Sequence, residues 1–272
     1  ESKEPLKKRR KKNKRALIIA LSIVALLFVV ALFYAAWMPA LRVNNVVAEG
    51  PHGEEVEVLT ARTLEGTHAF ILPRNSLFFL PEEDIRTMIL DTYPDIEAVS
   101  ITSDGLQALR VKTLPRAEAF SWCGVSIETP SEFCYSVNAE GLIFAQSQTT
   151  VSSSTQKLKI YSSIEQQEGD SPIRARMSHA SGIPGVLRFV KAIQTLNADV
   201  VSVTLREDEA DLRTEAGTRI TYVLGREQEA VGIAASVFPQ LSLNDGSIHY
   251  VDLRFSGKAY FKRTEVPEPV SE

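Results

Sequence analysis

The pattern of apolar and polar positions divides the chain into unequal parts. Residues 16–38, ALIIALSIVALLFVVALFYAAWM, form an apolar run with no charge between Arg15 and Arg42. At about 1.5 Å per residue, a helix of this length reaches roughly 34 Å, enough to cross a hydrocarbon core about 30 Å thick. Two other readings fit less well. A secretory signal has a shorter apolar region and small residues at its cleavage site, where this chain has Trp37, Met38 and Pro39. A buried core helix shows a polar face, and this run offers only Ser22 and Tyr34. Tyr34 and Trp37 stand together near its exit, as interfacial aromatics do.

Beyond the span, alternation from Leu41 to Ala48 predicts a strand closed by Gly50-Pro51, and Val56, Leu59, Ala61 and Leu64 sit at helical spacing. Pro81 followed by Glu82, Glu83 and Asp84 opens a second helix with an apolar stripe of Ile85, Met88 and Ile89. Val99 and Ile101 alternate out to Asp104-Gly105, a favoured hairpin turn, and Leu109, Val111 and Thr113 alternate back. Residues 41–114 thus read as two helices on a three-stranded sheet.

Residues 115–262 are richer in strands, predicted at 117–122, 133–137, 142–144, 157–161, 201–205, 210–214 and 219–224. Two main helices are predicted, from Gly182 through Leu196 and from Glu227 to Leu241, the second the more one-sided. Residues 247–262 read as one long terminal strand, with Val251, Leu253 and Phe255 on one face, bent at Ser256-Gly257. Residues 146–156 and 165–171 read as exposed loops, and 263–272 as a disordered acidic tail. The fold class is α+β: a single membrane helix, a small two-layer domain, and a mixed α+β domain with an antiparallel sheet and two main helices.

Charge orients this plan. The net charge of −4 conceals nine Lys or Arg against Glu1 and Glu4 in residues 1–15, a local +7 that leaves −11 for the rest. A basic run abutting a span stays cytoplasmic by the positive-inside rule, so the acidic bulk lies outside. That charge excludes nucleic acid as a partner. Cys123 and Cys134 are the only cysteines, and in a compartment outside the membrane they favour a disulfide.

Catalytic signatures are sparse. There is no GxSxG, HExxH or Gly-rich phosphate loop. Ser154-Thr-Gln-Lys157 fits SxxK and Ser242-Leu-Asn244 fits SxN, as in penicillin-binding enzymes, but no KTG follows. His52, His68, His179 and His249 are scattered without ligand spacing. Asp252 and Arg254, two residues apart on one face of a strand, read as a structural ion pair or a solvated face, and Glu207-Asp208-Glu209 as a turn. No enzyme activity, metal, cofactor or small-molecule substrate is expected.

Taken in order, these segments resemble the FtsQ/DivIB family of bacterial cell-division proteins over most of residues 7–262. The resemblance is carried by Val43–Gly50, by Asn75-Ser-Leu-Phe78, Tyr93-Pro-Asp-Ile96 and Leu109-Arg-Val111, by Pro115-Arg-Ala117 and Val137–Phe144, and most specifically by Tyr250-Val-Asp-Leu-Arg-Phe255 followed by Gly257-Lys258. Asn138 departs from the family's usual Asp, and the cysteine pair is not a general family feature. The resemblance implies a basic cytoplasmic tail (1–15), a span (16–38), a POTRA-like β-α-α-β-β domain (41–114), a β-domain (115–262) and a tail (263–272). It further implies a non-enzymatic, single-pass type II scaffold of the bacterial cytoplasmic membrane, at the division septum. Its partners would be FtsB/DivIC-like and FtsL-like membrane proteins, met through Tyr250, Arg254, Phe255, Ser256, Gly257 and Lys258, with Phe255 as apolar anchor and Lys258 as pairing charge. A POTRA-bearing factor for polypeptide export or envelope assembly, and an exported cell-wall enzyme, are the alternative readings.

Overall fold

Helix α1 (Leu6–Trp37) carries the apolar run, and its segment Ala16–Ala35 is long and apolar enough to cross a membrane, with no residue buried against protein. The structure, a computed structural model, describes residues 6–68, 72–147, 157–165 and 171–264. It divides into two compact units, one ending at Pro115 and the other starting at Arg116.

In the first unit a 3-10 turn (Pro39–Leu41) leads into β1 (Asn45–Glu49), followed by α2 (Gly53–Thr63), a short hairpin of β2 (Thr67–His68) and β3 (Leu72–Pro73), α3 (Glu82–Thr92), β4 (Ile96–Asp104) and β5 (Ala108–Pro115). The sheet order is β1-β5-β4, with β1 parallel and β4 antiparallel to β5. On β5, Leu109, Val111 and Thr113 are buried while Arg110, Lys112 and Leu114 face solvent, the period-two alternation of a half-covered sheet. Val56, Leu64, Ile85 and Ile89 close the core from the helices. The predicted stripes need correction at two positions. Ala61 and Met88 are exposed, and Thr60 and Thr63 take the buried positions on α2 instead. Gly50, at φ 109°, lets the chain pass Thr113, whose hydroxyl donates to the Pro51 carbonyl at 2.9 Å.

The second unit is built on one nine-stranded sheet. Its strands are β6 (Phe120–Gly124), β7 (Pro130–Val137), β8 (Ile143–Gln146), β9 (Lys159–Tyr161), then, after a small hairpin of β10 (Ile164–Glu165) and β11 (Arg176–Met177), β12 (Val200–Arg206), β13 (Glu209–Thr214), β14 (Arg219–Val223), β15 (Ile248–Asp252) and β16 (Tyr260–Arg263). Their order is β16-β15-β14-β13-β12-β9-β6-β7-β8. The sheet is mixed and not antiparallel as expected, because β9/β12, β6/β9 and β14/β15 pair in parallel. Two of these joins follow from the helices: α4 (Ile183–Gln194) lies between β9 and β12 in the chain and α5 (Glu227–Val237) between β14 and β15, and a crossover of that length returns the chain in the same direction.

Cross-strand register places Trp122, Ile160, Val203, Leu212, Ile220 and Val251 in one continuous row. All six are buried, and with the helices they form the core, where the Phe189 ring of α4 lies 4.2 Å from that of Tyr222. The adjacent row, Tyr161, Thr204, Asp211, Thr221 and Asp252, points the other way and is largely polar. Of the two helices α4 is the more one-sided, burying Ile183, Val186, Phe189, Val190 and Ile193, whereas α5 buries Ala230 and Ala234 and gives way to a 3-10 turn at Phe238–Gln240, where Pro239 sits. Cys123 and Cys134 are joined as a disulfide across β6 and β7. Residues 148–156, which include Ser154, most of the 165–171 loop, and the tail from 265 lie outside the described residues.

Candidate partner-binding edge

The predicted terminal strand is two strands. β15 stops at Asp252, the chain turns through residues 253–259, and β16 returns antiparallel with Val251 opposite Phe261 and Asp252 opposite Tyr260. What stops β15 is a side chain folding back. The Arg254 guanidinium donates from Nε to both Asp252 oxygens at 2.9 and 3.1 Å and from Nη2 to Oδ2 at 2.6 Å, and its Nη1 reaches Glu209 Oε1 at 2.8 Å. The Arg254 backbone N–H also donates to Asp252, at 3.0 Å. Burial pushes the Asp252 carboxyl up, but these hydrogen bonds and the charges of Arg254 and Arg219 outweigh it and hold the group below the usual carboxylate range.

The turn is moored a second time by α5. Glu229 accepts the Ser256 hydroxyl at 2.6 Å and Arg226 at 2.8 and 2.9 Å, and Arg226 in turn donates to the Arg254 carbonyl at 3.1 Å. The Ser256 hydroxyl first, then Arg226, hold Glu229 below its ordinary range. Gly257 takes φ 67°, a left-handed conformation that glycine adopts without a Cβ clash. The outcome is a turn tied to β13, β15 and α5 that displays Phe255, its ring 5.0 Å from that of Tyr260.

The residues expected to act together are therefore split in role. Tyr250 is half-buried on β15 beneath Arg219, whose guanidinium lies 5.9 Å from its ring centroid. Arg254 and Ser256 are engaged within the fold, Gly257 shapes the turn, and Phe255 and Lys258 are exposed. Sequence reasoning passed over Glu209, read only as part of a turn, and Glu229, on the polar side of α5. It also passed over Tyr260 and Phe261, placed on a strand that has no such continuation.

The two edges of the sheet differ. Along β8, residues 174–176 lie against the edge: Arg174 N–H donates to the Ile143 carbonyl at 2.7 Å and Ile143 N–H to the Ala175 carbonyl at 3.0 Å. No described strand pairs with the outer side of β16. Thr264 N–H donates inward to the Ser247 carbonyl at 2.9 Å, so by the two-residue alternation of a strand the N–H and C=O of Phe261 and Arg263 point outward. Phe261 also extends the apolar row past Val251 and is 46 % exposed.

Compared with known proteins, the chain matches no family model and no curated protein. Among the described residues no group of three His, Cys, Asp or Glu side chains is placed to hold a metal. Two histidines have built surroundings. His52 Nε2 lies 2.8 Å from Asp95 with its ring 4.3 Å from Tyr93, and His179 bridges the Ser162 hydroxyl and the Glu207 carbonyl. Asn244, of the SxN triplet, is consumed by Asp199 and the Asn197 carbonyl.

Proposed function

We propose that this protein is a membrane-tethered docking scaffold of the FtsQ/DivIB kind, without enzymatic activity, which links small division membrane proteins at the septum of a bacterial cell. The observation that carries the proposal is the open edge at β16. An edge strand offers a row of unpaired backbone groups to an incoming strand. Here the sheet's apolar row ends on half-exposed Phe261, and Phe255 and Tyr260 flank the edge with further aromatic surface. A partner strand laid on β16 gains main-chain hydrogen bonds from Phe261 and Arg263 and covers these rings. The span fixes the chain to the cytoplasmic membrane, with the basic tail inside and residues 41–262 outside.

The test is co-purification of the full-length chain, in detergent, with FtsB/DivIC-like and FtsL-like proteins. Phe261→Pro removes an outward donor without touching the ladder to β15, a substitution edge strands tolerate, while Phe261→Ala removes the ring alone. Capture lost with Phe261→Pro and with Phe255→Glu, and only weakened with Phe261→Ala, is the expected result. Undiminished capture by Phe261→Pro refutes strand addition at this edge.

A further inference from the structure

We infer that the first unit is not a free body on a tether but is seated in the polar layer of the bilayer, with Phe78, Phe79 and Leu106 inserted among the lipids. The inference rests on reading Ala16–Ala35 as a membrane span.

The connection leaves no slack. Between the end of α1 at Trp37 and Arg42 there is a single 3-10 turn, Pro39–Leu41. Three residues of such a turn rise about 6 Å, and the polar layer on each side of a bilayer is itself about 5–8 Å thick. This exit segment is fastened to the unit at several points. Gln107 Nε2 donates to the Pro39 carbonyl at 3.2 Å, Val43 N–H to the Asn75 carbonyl at 2.8 Å, and Arg42 forms a β-bridge with Ser76. The Arg42 guanidinium lies 4.9 Å from the centroid of the Trp37 ring, a pairing suited to the interface.

Topology then says which parts of the unit share this end. β1 leaves the membrane with Asn45 opposite Ala108, so the β4–β5 turn at 105–107 is proximal and the start of β4 at Ile96 is distal. Phe78 stands two residues after Ser76, placing its Cα within about 8 Å of that bridge. Among the described residues 37–115, the exposed Phe, Trp and Leu side chains at this end are Trp37, Phe78, Phe79 and, on the β4–β5 turn beside Gln107, Leu106, while Leu114, next to Pro115, is exposed at the distal end. Aromatic and aliphatic side chains gathered where the chain enters the bilayer find apolar cover in the glycerol and upper acyl region. Charges of both signs share this end: Glu82, Glu83 and Asp84 in the first turn of α3, with Arg86 bound to Glu83, and Arg42 and Arg74. Apolar insertion and not charge therefore drives the contact.

The test is photo-crosslinking of the full-length protein in nanodiscs of phosphatidylethanolamine, with or without phosphatidylglycerol. Benzoylphenylalanine replaces Phe78, Phe79 or Leu106 singly, with Leu26 as the span control and exposed Glu97, at the distal end, as the background control. Lipid adducts at 78, 79 and 106 severalfold above position 97, and equal in the two lipid compositions, support the inference. Adducts at 26 with only background at 78, 79 and 106 overturn it and leave the span intact. No adduct at 26 removes the span reading and the inference with it. Adducts at 78 or 79 to protein instead of lipid overturn it as well, marking the face as a protein contact.

Discussion

Replacing Arg254 by Ala tests whether the turn that shapes the partner edge is held by charge. Arg254 contacts both Asp252 and Glu209, and the side chains are 39 %, 13 % and 31 % exposed respectively. Breaking a fully buried pair costs about 3–5 kcal/mol, and an exposed pair contributes about 0–1 kcal/mol. Discounted for the solvent around the guanidinium, the loss here is about 2 kcal/mol, most of it from leaving Asp252 without its strongest donor. With a urea m-value of about 2 kcal/mol/M this lowers the unfolding midpoint by about 1 M. Fluorescence of Trp122, buried on β6 in the same sheet, reports the transition, measured in a Trp37→Phe background so that a single tryptophan is read.

The pH dependence carries the sharper test. In the wild type the Asp252 carboxyl is held below its ordinary value, so its contribution is full above the unfolded pKa and is lost as pH falls through the lower, folded one. In Arg254→Ala, burial is opposed only by the backbone N–H at 254 and by Arg219, which moves the folded pKa back up. The deficit of the variant is then greatest at neutral pH and narrows at an acid pH below the ordinary carboxylate range, where Asp252 takes up a proton in both proteins. Arg254→Lys keeps the charge but not the forked geometry and recovers part of the loss. A deficit below about 0.5 kcal/mol, within the scatter of ordinary surface substitutions, or one that is the same at both pH values, refutes the reasoning.

Three further outcomes are expected. A Cβ on Gly50, at φ 109°, would collide with the Thr113 carbonyl oxygen, so Gly50→Ala costs about 3 kcal/mol from overpacking and left-handed strain together; hydrogen exchange should accelerate throughout residues 45–115 and not on β12–β15. Closing the Cys123–Cys134 loop contributes about 3 kcal/mol on the chain-entropy model; Cys123→Ala/Cys134→Ala lowers Tm, dithiothreitol brings the wild type to the same value, and a wild-type Tm indifferent to reductant would refute this. The Tyr222 hydroxyl is buried with no hydrogen-bond partner among the described residues, so Tyr222→Phe raises stability by about 1 kcal/mol in the same urea titration, since an unsatisfied buried group costs about that much.

Where structure is local, the sequence could be read. The first unit followed from signals a few residues long: the acidic opening of α3, the Asp104-Gly105 turn, and the alternation of Leu109, Val111 and Thr113 against Arg110 and Lys112. Met88 and Ala61 were misplaced because a helical stripe is wider than the contact it makes, and on α2 the small Thr60 and Thr63 fit closest to the neighbouring elements. Period-two alternation says which face is buried and nothing about the direction of the neighbour, so the sequence signal for parallel pairing in the second unit is the strand-helix-strand order around α4 and α5, and the β6/β9 pair has no such signal.

The partner edge shows the same divide more sharply. Residues 250–255 alternate without a break, so the alternation does not show that β15 stops at Asp252, where Arg254 folds back on the Asp252 carboxylate. The contacts that hold the turn from outside the segment are those of Glu209 with Arg254 and of Glu229 of α5 with Ser256. These contacts are made only once β13, β14, α5 and β15 have assembled. Edge status is non-local for the same reason: Phe261 resembles any strand residue until the other eight strands have taken their places and none covers it. An aromatic continuing a buried row onto an uncovered edge is therefore information that only the assembled sheet carries. Partner binding should accordingly fall with any substitution that loosens the turn, Arg254→Ala included, even where the substituted side chain never meets the partner.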